Sequence, residues 1–327
     1  MGRVIVKSPC EAGSAGNERT NDVESPLHDM KVQSVDPIAP TVAVVIVAYA
    51  SKSVLKSCVQ ALSTQSRRPD AVVVIDNNSP DPAYLAEIPH DKEVEIIRSP
   101  VNEGFCGANN EAFRRIRHHK YIVFLNPDAF PLPDLIERAV EWMEQPSQGQ
   151  VGILTGTLLG FDIVQNRPTG AIDSTGVFQT WYGKWYDRDQ GKPWRQSEAS
   201  ASAEDVPAIT GALMFCRSEA LESVLSRGGD VFDRNFFMYK EDIDLSLRLR
   251  KRGWRLVYWP TLICYHCRGW RGRDKMSGRA RYLSARNEVS VSLRNGGRGL
   301  AYSALKFAFV PFEYLYLRSR RFIAARD

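Results

Sequence analysis

Three carboxylates fall within four positions at Glu241, Asp242 and Asp244, directly after the aromatic run Phe236-Phe237-Met238-Tyr239. One acid would suffice to open a helix there. The helix dipole favours acid in the first turn and base in the last, and Arg248, Arg250, Lys251 and Arg252 follow, with Gly253 as the stop. Three acids beside aromatics repel one another unless a cation or a proton-donating substrate sits among them. The spacing therefore marks this helix start as a candidate general-base site.

Four other clusters could bind or react, and each has a structural alternative. Asp76 ends the apolar run Val72–Ile75, where a carboxylate at a strand tip can accept the imide N–H of a pyrimidine; Asp76-Asn77-Asn78-Ser79 reads equally as a turn. Asn102 to Asn110 carries Gly104 and Gly107 ahead of a helix, which lets backbone amides approach a diphosphate or ribose. The dinucleotide pattern Gly-x-Gly-x-x-Gly is absent from the chain, which removes the main support for a nicotinamide dehydrogenase. Asp128 follows the strand-like Tyr121–Leu125 in Asn126-Pro127-Asp128, and a hard divalent cation needs few carboxylates when phosphates and water complete its shell. Helix capping is the competing use of acids there. His266 lies between Cys264 and Cys267, with no second Cys/His pair at zinc spacing.

The elements that must position these residues follow from hydropathy. Apolar runs at Val42–Val47, Val72–Ile75, Val94–Ile97 and Tyr121–Leu125 alternate with helical stretches at about 54–64, capped by Ser53, and from Asn110 to about Arg117. That alternation predicts an α/β fold with a mixed, mostly parallel central sheet flanked by helices, whose ligands gather at the carboxyl ends of the strands. From Gly152 the chain reads as loop-rich and aromatic, with Trp181, Tyr182, Trp185, Tyr186 and Trp194. Strands are expected again at Ala208–Arg217, Arg255–Trp259 and Thr261–Tyr265, with Ser218 capping a short helix.

The 327 residues, 43% hydrophobic, are enough for one large domain. Residues 1–40 are polar and read as a loosely packed N-terminal arm. Residues 41–150 and 151–270 form two halves of one domain, and 271–327 a basic, amphipathic helical extension. The net charge of +5 is concentrated between Arg268 and Arg298, as suits phosphate, nucleic acid or an anionic membrane. Six scattered cysteines and a start without a signal-peptide core predict a cytoplasmic protein. Leu300 to Leu317 is apolar and aromatic, interrupted by Lys306, Pro311 and Glu313 and followed by Arg318, Arg320 and Arg321. It reads as a helix that either lies peripherally on the inner face of the plasma membrane, through 298–323, or packs on the body.

In combination the clusters carry more. Asp76-Asn77-Asn78-Ser79, Asn102-x-Gly104-Phe105-x-x-x-Asn109-Asn110, Asn126-Pro127-Asp128-Ala129, Thr210-Gly211-Ala212, and Phe232-Asp233 through Phe236-Phe237-Met238-Tyr239-x-Glu241-Asp242-x-Asp244-Leu245 occur in that order. The arrangement resembles the family-2 inverting glycosyltransferases of the GT-A fold, most closely their rhamnosyltransferase-like branch, over roughly Val42 to Arg286. The resemblance implies a nucleoside-diphosphate-sugar donor, dTDP-L-rhamnose favoured, and a glycan or lipid-linked glycan acceptor, with no nucleic-acid partner. Tyr49 and Asp76 would lie against the base, and Asn78, Asn102, Gly104, Asn109 and Asn126 near the nucleotide. Asp128, with His266, would hold Mg2+ or Mn2+. Asp242 would be the general base, Glu241, Gly211 and Trp181 would face the acceptor, and Arg279 and Arg281 the leaving diphosphate. The sequence departs from the family at Asn126, where many relatives carry the first aspartate of Asp-x-Asp.

Two other classes compete. A sugar nucleotidyltransferase needs a glycine-rich, basic loop after the first strand, and Tyr49-Ala50-Ser51-Lys52 is a poor version of one. A non-catalytic glycan- or nucleic-acid-binding protein accounts for the basic cluster but leaves the three acids unexplained.

Overall fold

A computed structural model describes residues 39–89, 91–195, 202–268 and 276–323, with side chains as far as Tyr316 except Tyr314 and Leu315. Apart from Ala39 these residues belong to one compact unit, Pro40–Asp327. The expected N-terminal arm, 1–40, lies almost wholly outside the described residues.

The apolar runs form the sheet. β1 (Val42–Ala48) leads through α1 (Leu55–Ser63) to β2 (Ala71–Asp76) and β3 (Val94–Arg98), and then through α2 (Gly104–Ile116) to β4 (Tyr121–Leu125). These strands are parallel in the order β3-β2-β1-β4, with Ala48 beside Asp76 and Ile46 beside Leu125. Their carboxyl ends therefore share one edge. The order reverses between β1 and β4, which is where α/β sheets open a ligand crevice. Strand alternation divides the core. Val42, Val44 and Ile46 pack on the side of α1 and α3 (Leu135–Met143), while Ala43, Val45 and Phe124 pack on the side of α2.

The second half extends the sheet. β5 (Ala129–Pro131) precedes α3, and a long hairpin, β6 (Val151–Asp162) and β7 (Arg167–Ser174), follows it. A small hairpin, β8 (Val177–Gln179) and β9 (Trp185–Asp187), then leads to β10 (Glu204–Asp205), β11 (Leu213–Arg217) and α4 (Ser218–Glu222). The chain continues through α5 (Glu241–Lys251), β12 (Arg255–His266), α6 (Gly278–Arg294) and α7 (Leu300–Ile323). Beyond β4 the strand order is β11-β6-β12-β10. β11 runs antiparallel to β4 and β6, β6 parallel to β12, and β5 antiparallel to β12.

Several expectations need correction. The middle of the chain is strand-rich, because Gly152, Gly156 and Gly160 break the apolar run of β6 without breaking its pairing. The two strands expected around Pro260 are one, β12, whose register against β6 shifts between Tyr258 and Ile263. Helix α2 begins at Gly104, before the asparagine pair, and the strand expected from Ala208 begins only at Leu213. Neither serine caps a helix. α1 starts after Val54 with no side-chain cap, and Ser218 lies inside α4, donating its hydroxyl to the His119 carbonyl.

Candidate active site

At the carboxyl end of β2, Asp76 is 1% exposed. Its Oδ1 accepts from the Tyr84 hydroxyl at 3.4 Å, and Arg98 Nε lies 3.9 Å from Oδ2. Tyr49, one residue past the neighbouring end of β1, is half exposed. Between Asp76 and α2 the work is done by Asn77, which motif reading passed over as part of a turn. Its Nδ2 donates to Asn102 Oδ1 (3.1 Å) and the Gly104 carbonyl (3.0 Å), and its Oδ1 accepts the Glu103 amide (2.9 Å).

Asn102 and Gly104 consequently have structural tasks. The Gly104 amide is taken by Asn102 Oδ1 at 2.9 Å, and a Cβ on Gly104, at φ +71°, would lie 2.4 Å from the Phe237 carbonyl oxygen. The glycine thus admits the Phe237 backbone, not a diphosphate. Asn109 is buried and donates back to the Phe105 carbonyl, whereas Asn78 is exposed with φ +61°. Buried Asn110 holds the loop before α5, accepting the amides of Val231 and Phe232 and donating to the Phe232 carbonyl.

The antiparallel pairing of β5 with β12 sets Ala129 beside His266 and so brings His266 to Asp128. Nε2 lies 3.3 Å from Asp128 Oδ1 and 3.4 Å from Asn126 Nδ2. Nδ1 meets Asp173 Oδ2 on β7 at 2.8 Å. Asp173 Oδ1 in turn takes Arg268 Nε at 2.7 Å, and another nitrogen of that guanidinium meets Asp187 Oδ2 at 2.7 Å. Burial alone would lower the His266 pKa, but the flanking Asp128 and Asp173 carboxylates push it up to about 9. Burial opposes ionisation of Asp173 as well, yet His266 and Arg268 hold it below the usual carboxylate range. Nothing in the spacing of the sequence marks Asp173 or Asp187.

Asp128 and His266 are a workable donor pair for a divalent cation. One offers a hard oxygen and the other an imidazole nitrogen whose opposite N–H is fixed by a carboxylate, the usual outer-shell arrangement. Among the described residues no group of three or more His, Cys, Asp or Glu side chains is arranged to hold a metal. Diphosphate oxygens and water would have to complete the shell.

The three acids of α5 divide their roles. Asp244 is buried and neutralised by Arg248 (2.7 Å) and Arg294 (3.3 Å). Glu241 is 7% exposed, and its Oε2 has no hydrogen-bond partner. Burial, aided by the neighbouring Asp242 charge, pushes its pKa up to about 8. Asp242 accepts the Gly211 amide on Oδ2 (3.0 Å) and its neighbour's amide, from Ile243, on Oδ1 (2.8 Å). Burial raises its pKa, opposed by these amides, and Asp187 adds to the rise. A carboxylate so raised and so held is poised to accept a proton.

The turn that presents these acids is strained, with Phe237, Tyr239 and Lys240 all at positive φ. Asn287 of α6, another residue the motifs did not mark, latches it. Its Nδ2 lies 2.8 to 2.9 Å from the carbonyls of Phe236, Met238 and Tyr239.

Two sequence-predicted contributors, Arg281 and Trp181, are not gathered into the site, and a third, Arg279, reaches only its rim. Arg281 is 3% exposed and occupied by the Met276 carbonyl (3.0 Å) and Glu313 (3.1 Å), which corrects its assignment to the diphosphate. Trp181 stands 86% exposed at the tip of the β8–β9 hairpin, edge-on to Tyr182. Arg279 is exposed and lies over the Phe237 ring at 4.8 Å, on the rim. Within the basic cluster Arg268, Arg281, Arg286 and Arg294 are engaged, whereas Arg279 and Arg298 are exposed; Arg271, Arg273 and Lys275 lie outside the described residues.

A parallel α/β sheet continued by antiparallel strands, with acids gathered at its carboxyl edge, is the plan of a GT-A glycosyltransferase. The family model for "Glycosyltransferase like family 2" matches residues 39–285. The chain belongs to glycosyltransferase family 2. It is 27% identical over 249 residues to the N-acetylglucosaminyl-diphospho-decaprenol L-rhamnosyltransferase of Mycobacterium tuberculosis (strain CDC 1551 / Oshkosh), covering 72% of this chain and 78% of that one. It is 26% identical to the O-antigen biosynthesis protein RfbC of Myxococcus xanthus, over 67% of this chain and 16% of that protein. Among solved structures, the fold is similar to GalNAc-T7 with UDP, GalNAc and Mn2+ (TM-score 0.59, 17% identity, 79% of this chain and 48% of that one). It is also similar to the mannosyltransferase PcManGT of Pyrobaculum calidifontis with GDP-Man and Mn2+ (TM-score 0.52, 19% identity, 88% and 76%). The nucleotidyltransferase and non-catalytic alternatives are left without support.

Proposed function

We propose that the protein is an inverting transferase. It moves a sugar, with L-rhamnose from dTDP-L-rhamnose favoured, from a nucleoside-diphosphate donor to a hydroxyl of a glycan or lipid-linked glycan. The observation that carries this reading is the placement of Asp242, fixed by the Gly211 amide one residue from Ala212, whose carbonyl accepts the Asn126 amide at 3.1 Å. The base proposed on α5 and the Asn126–Asp128 loop are thereby tied to the same stretch of chain, Gly211-Ala212. The M. tuberculosis relative, named an N-acetylglucosaminyl-diphospho-decaprenol L-rhamnosyltransferase, supports the choice of L-rhamnose and of a lipid-linked glycan acceptor.

An acceptor hydroxyl is weakly nucleophilic. Asp242 takes its proton as the oxygen attacks the anomeric carbon, on the face opposite the diphosphate. The new C–O bond forms as the bond to the diphosphate breaks, and the nucleoside diphosphate departs. Asp76 accepts the imide N–H of the base, with Tyr49 against the ring. Asp128 and His266 would hold Mg2+ or Mn2+, which when bound would supply positive charge to the leaving diphosphate. Arg279 on the rim adds to it.

The test is a panel of nucleotide sugars, scored for free nucleoside diphosphate with and without a glycan acceptor. Acceptor-dependent release from dTDP-rhamnose above all others is expected. Release from another donor only would overturn the rhamnose assignment, and release from none would overturn the proposal.

A further inference from the structure

Helix α7 turns its charges inward and its apolar side outward. Lys306 pairs with buried Glu288, and Glu313 with buried Arg281, both on α6, while Ser303 and Val310 are buried in the same interface. Among described side chains from Ala301 to Tyr316, every exposed one is apolar or a tyrosine. Leu305, Phe309, Phe312 and Tyr316 are between 59% and 66% exposed, and the others are alanines and Pro311. A water-facing helix has the reverse polarity. A contiguous exposed patch of this kind marks a surface that meets an apolar phase.

A second element joins it. The Tyr182 ring, in the β8–β9 turn, lies 5.3 Å from both Trp181 and Tyr302 of α7. Gly183 and Gly299 bring the two backbones together so closely that a Cβ on Gly183 would lie 2.0 Å from the Gly299 Cα. The hairpin tip, with Trp181 the most exposed aromatic on it, and the outer face of α7 are therefore one ledge. Exposed cations border the ledge at Lys184 and Arg298, and Arg318, Arg320 and Arg321 follow in sequence. No helix among the described residues is long and apolar enough to cross a membrane.

Trp, Tyr and Phe bordered by Lys and Arg on an element that cannot span is the composition of a helix lying at the headgroup boundary. We propose that Trp181, Tyr182 and the outer face of α7 form a docking surface for an anionic phospholipid bilayer. Charge decides between a bilayer and a second copy of the chain. A two-fold contact presents the same patch to itself and brings these cations toward their own equivalents, whereas anionic headgroups neutralise them. This deepens the proposed function, resting on it only for its purpose, which is to hold the site beside a lipid-linked acceptor. It moves Trp181 from sugar platform to membrane anchor.

The experiment is flotation of the full-length protein with vesicles of phosphatidylglycerol and phosphatidylethanolamine, compared with pure phosphatidylcholine. The wild type should float with the anionic vesicles and be released by salt. Phe309→Glu/Phe312→Glu should cut partitioning at least tenfold and Trp181→Ala several-fold. Lys184→Glu/Arg298→Glu should lower binding to anionic vesicles alone. Both Phe positions are solvent-exposed, so an unchanged thermal melt and dTDP binding within twofold of wild type are expected for that variant. Wild-type flotation by the Phe variant, or none by the wild type, would overturn the proposal. So would a lipid-free dimer that the Phe variant dissociates, which would make the face a contact between copies. Asp242→Asn should float like wild type, so loss of catalysis and loss of docking are separately readable.

Discussion

The backbone amide of Gly211 donates to Asp242 Oδ2 at 3.0 Å, and so fixes where the carboxylate of the proposed base points. Gly211 is held in its turn. The next carbonyl, of Ala212, accepts the Asn126 amide, and Leu213 then pairs with Leu125 as β11 runs antiparallel to β4. The register of one strand pair thus sets the helix that carries Asp242 against the loop that carries Asp128. A one-residue slip would turn every side chain of β11 to the opposite face and separate them.

Asp242→Asn keeps the shape of the side chain and still accepts the Gly211 amide through its carbonyl oxygen, but it cannot take a proton. Transfer should fall by about 10²- to 10⁴-fold, the usual share of a general base. Donor binding, measured by calorimetry, should stay within about twofold. A variant that retained most of its transfer rate would remove Asp242 from the base role.

Glu241 carries a pH signature. Its folded pKa, about 8, lies above the ordinary 4.5 because burial and the Asp242 charge disfavour its ionised form. The folded state therefore holds this proton more tightly than the unfolded chain. The associated stability is complete below about pH 4.5 and is lost as pH rises through about 8. Glu241→Gln supplies a neutral isostere and should remove the loss. Thermal melts should agree near pH 4, and the variant should be the more stable at pH 9, by about 5 kcal/mol at most. Parallel stability profiles for the two proteins would show that Glu241 ionises in place without penalty.

Much of this frame is legible in the sequence because unbroken apolar runs such as Val42–Val47 and Tyr121–Leu125 have no stable place other than a strand covered on both faces. Acids just past such runs then fall on one edge. The second half is less legible for physical reasons. β6 alternates glycine and threonine with its aliphatic residues, and a Cβ at Gly156 would lie 2.1 Å from the Leu262 carbonyl, a demand set by a partner strand about a hundred residues away in sequence. Asp173 and Asp187 acquire their roles only through that pairing, since an isolated aspartate at a strand end looks like any turn residue. Arg281 shows the converse: a charge in a basic run suggests a ligand until its burial against Glu313 is seen.

Asp173→Asn tests the support of His266. The carboxylate fixes the Nδ1 side of the ring at 2.8 Å, leaving Nε2 for the Asp128 side. An amide there can present either a donor or an acceptor and loses the charge. Mn2+ affinity, followed by the loss of free-ion EPR signal in the presence of nucleoside diphosphate, should weaken about 10- to 100-fold. Asp187→Asn, which touches only the far side of Arg268, should weaken it less. Equal affinity for wild type and Asp173→Asn would reduce the Asp173–His266 contact to a packing role.

Arg281 and Glu313 decide between a structural and a substrate-binding use of the C-terminal arginines. Breaking a buried ion pair by removing one partner typically costs about 3–5 kcal/mol. Glu313 keeps partial access to water, its side chain being 27% exposed, so the lower end of that range applies. Arg281→Met should lower Tm by several degrees and leave donor affinity unchanged. Arg281→Met/Glu313→Leu, which removes both charges and fills the interface of α6 and α7 with apolar atoms, should regain most of the loss. A diphosphate ligand would behave in the opposite way, with donor affinity falling tenfold or more in both variants while the melt of the single variant barely moved. Calorimetry with the nucleotide and a thermal melt on the same three proteins separates the two cases.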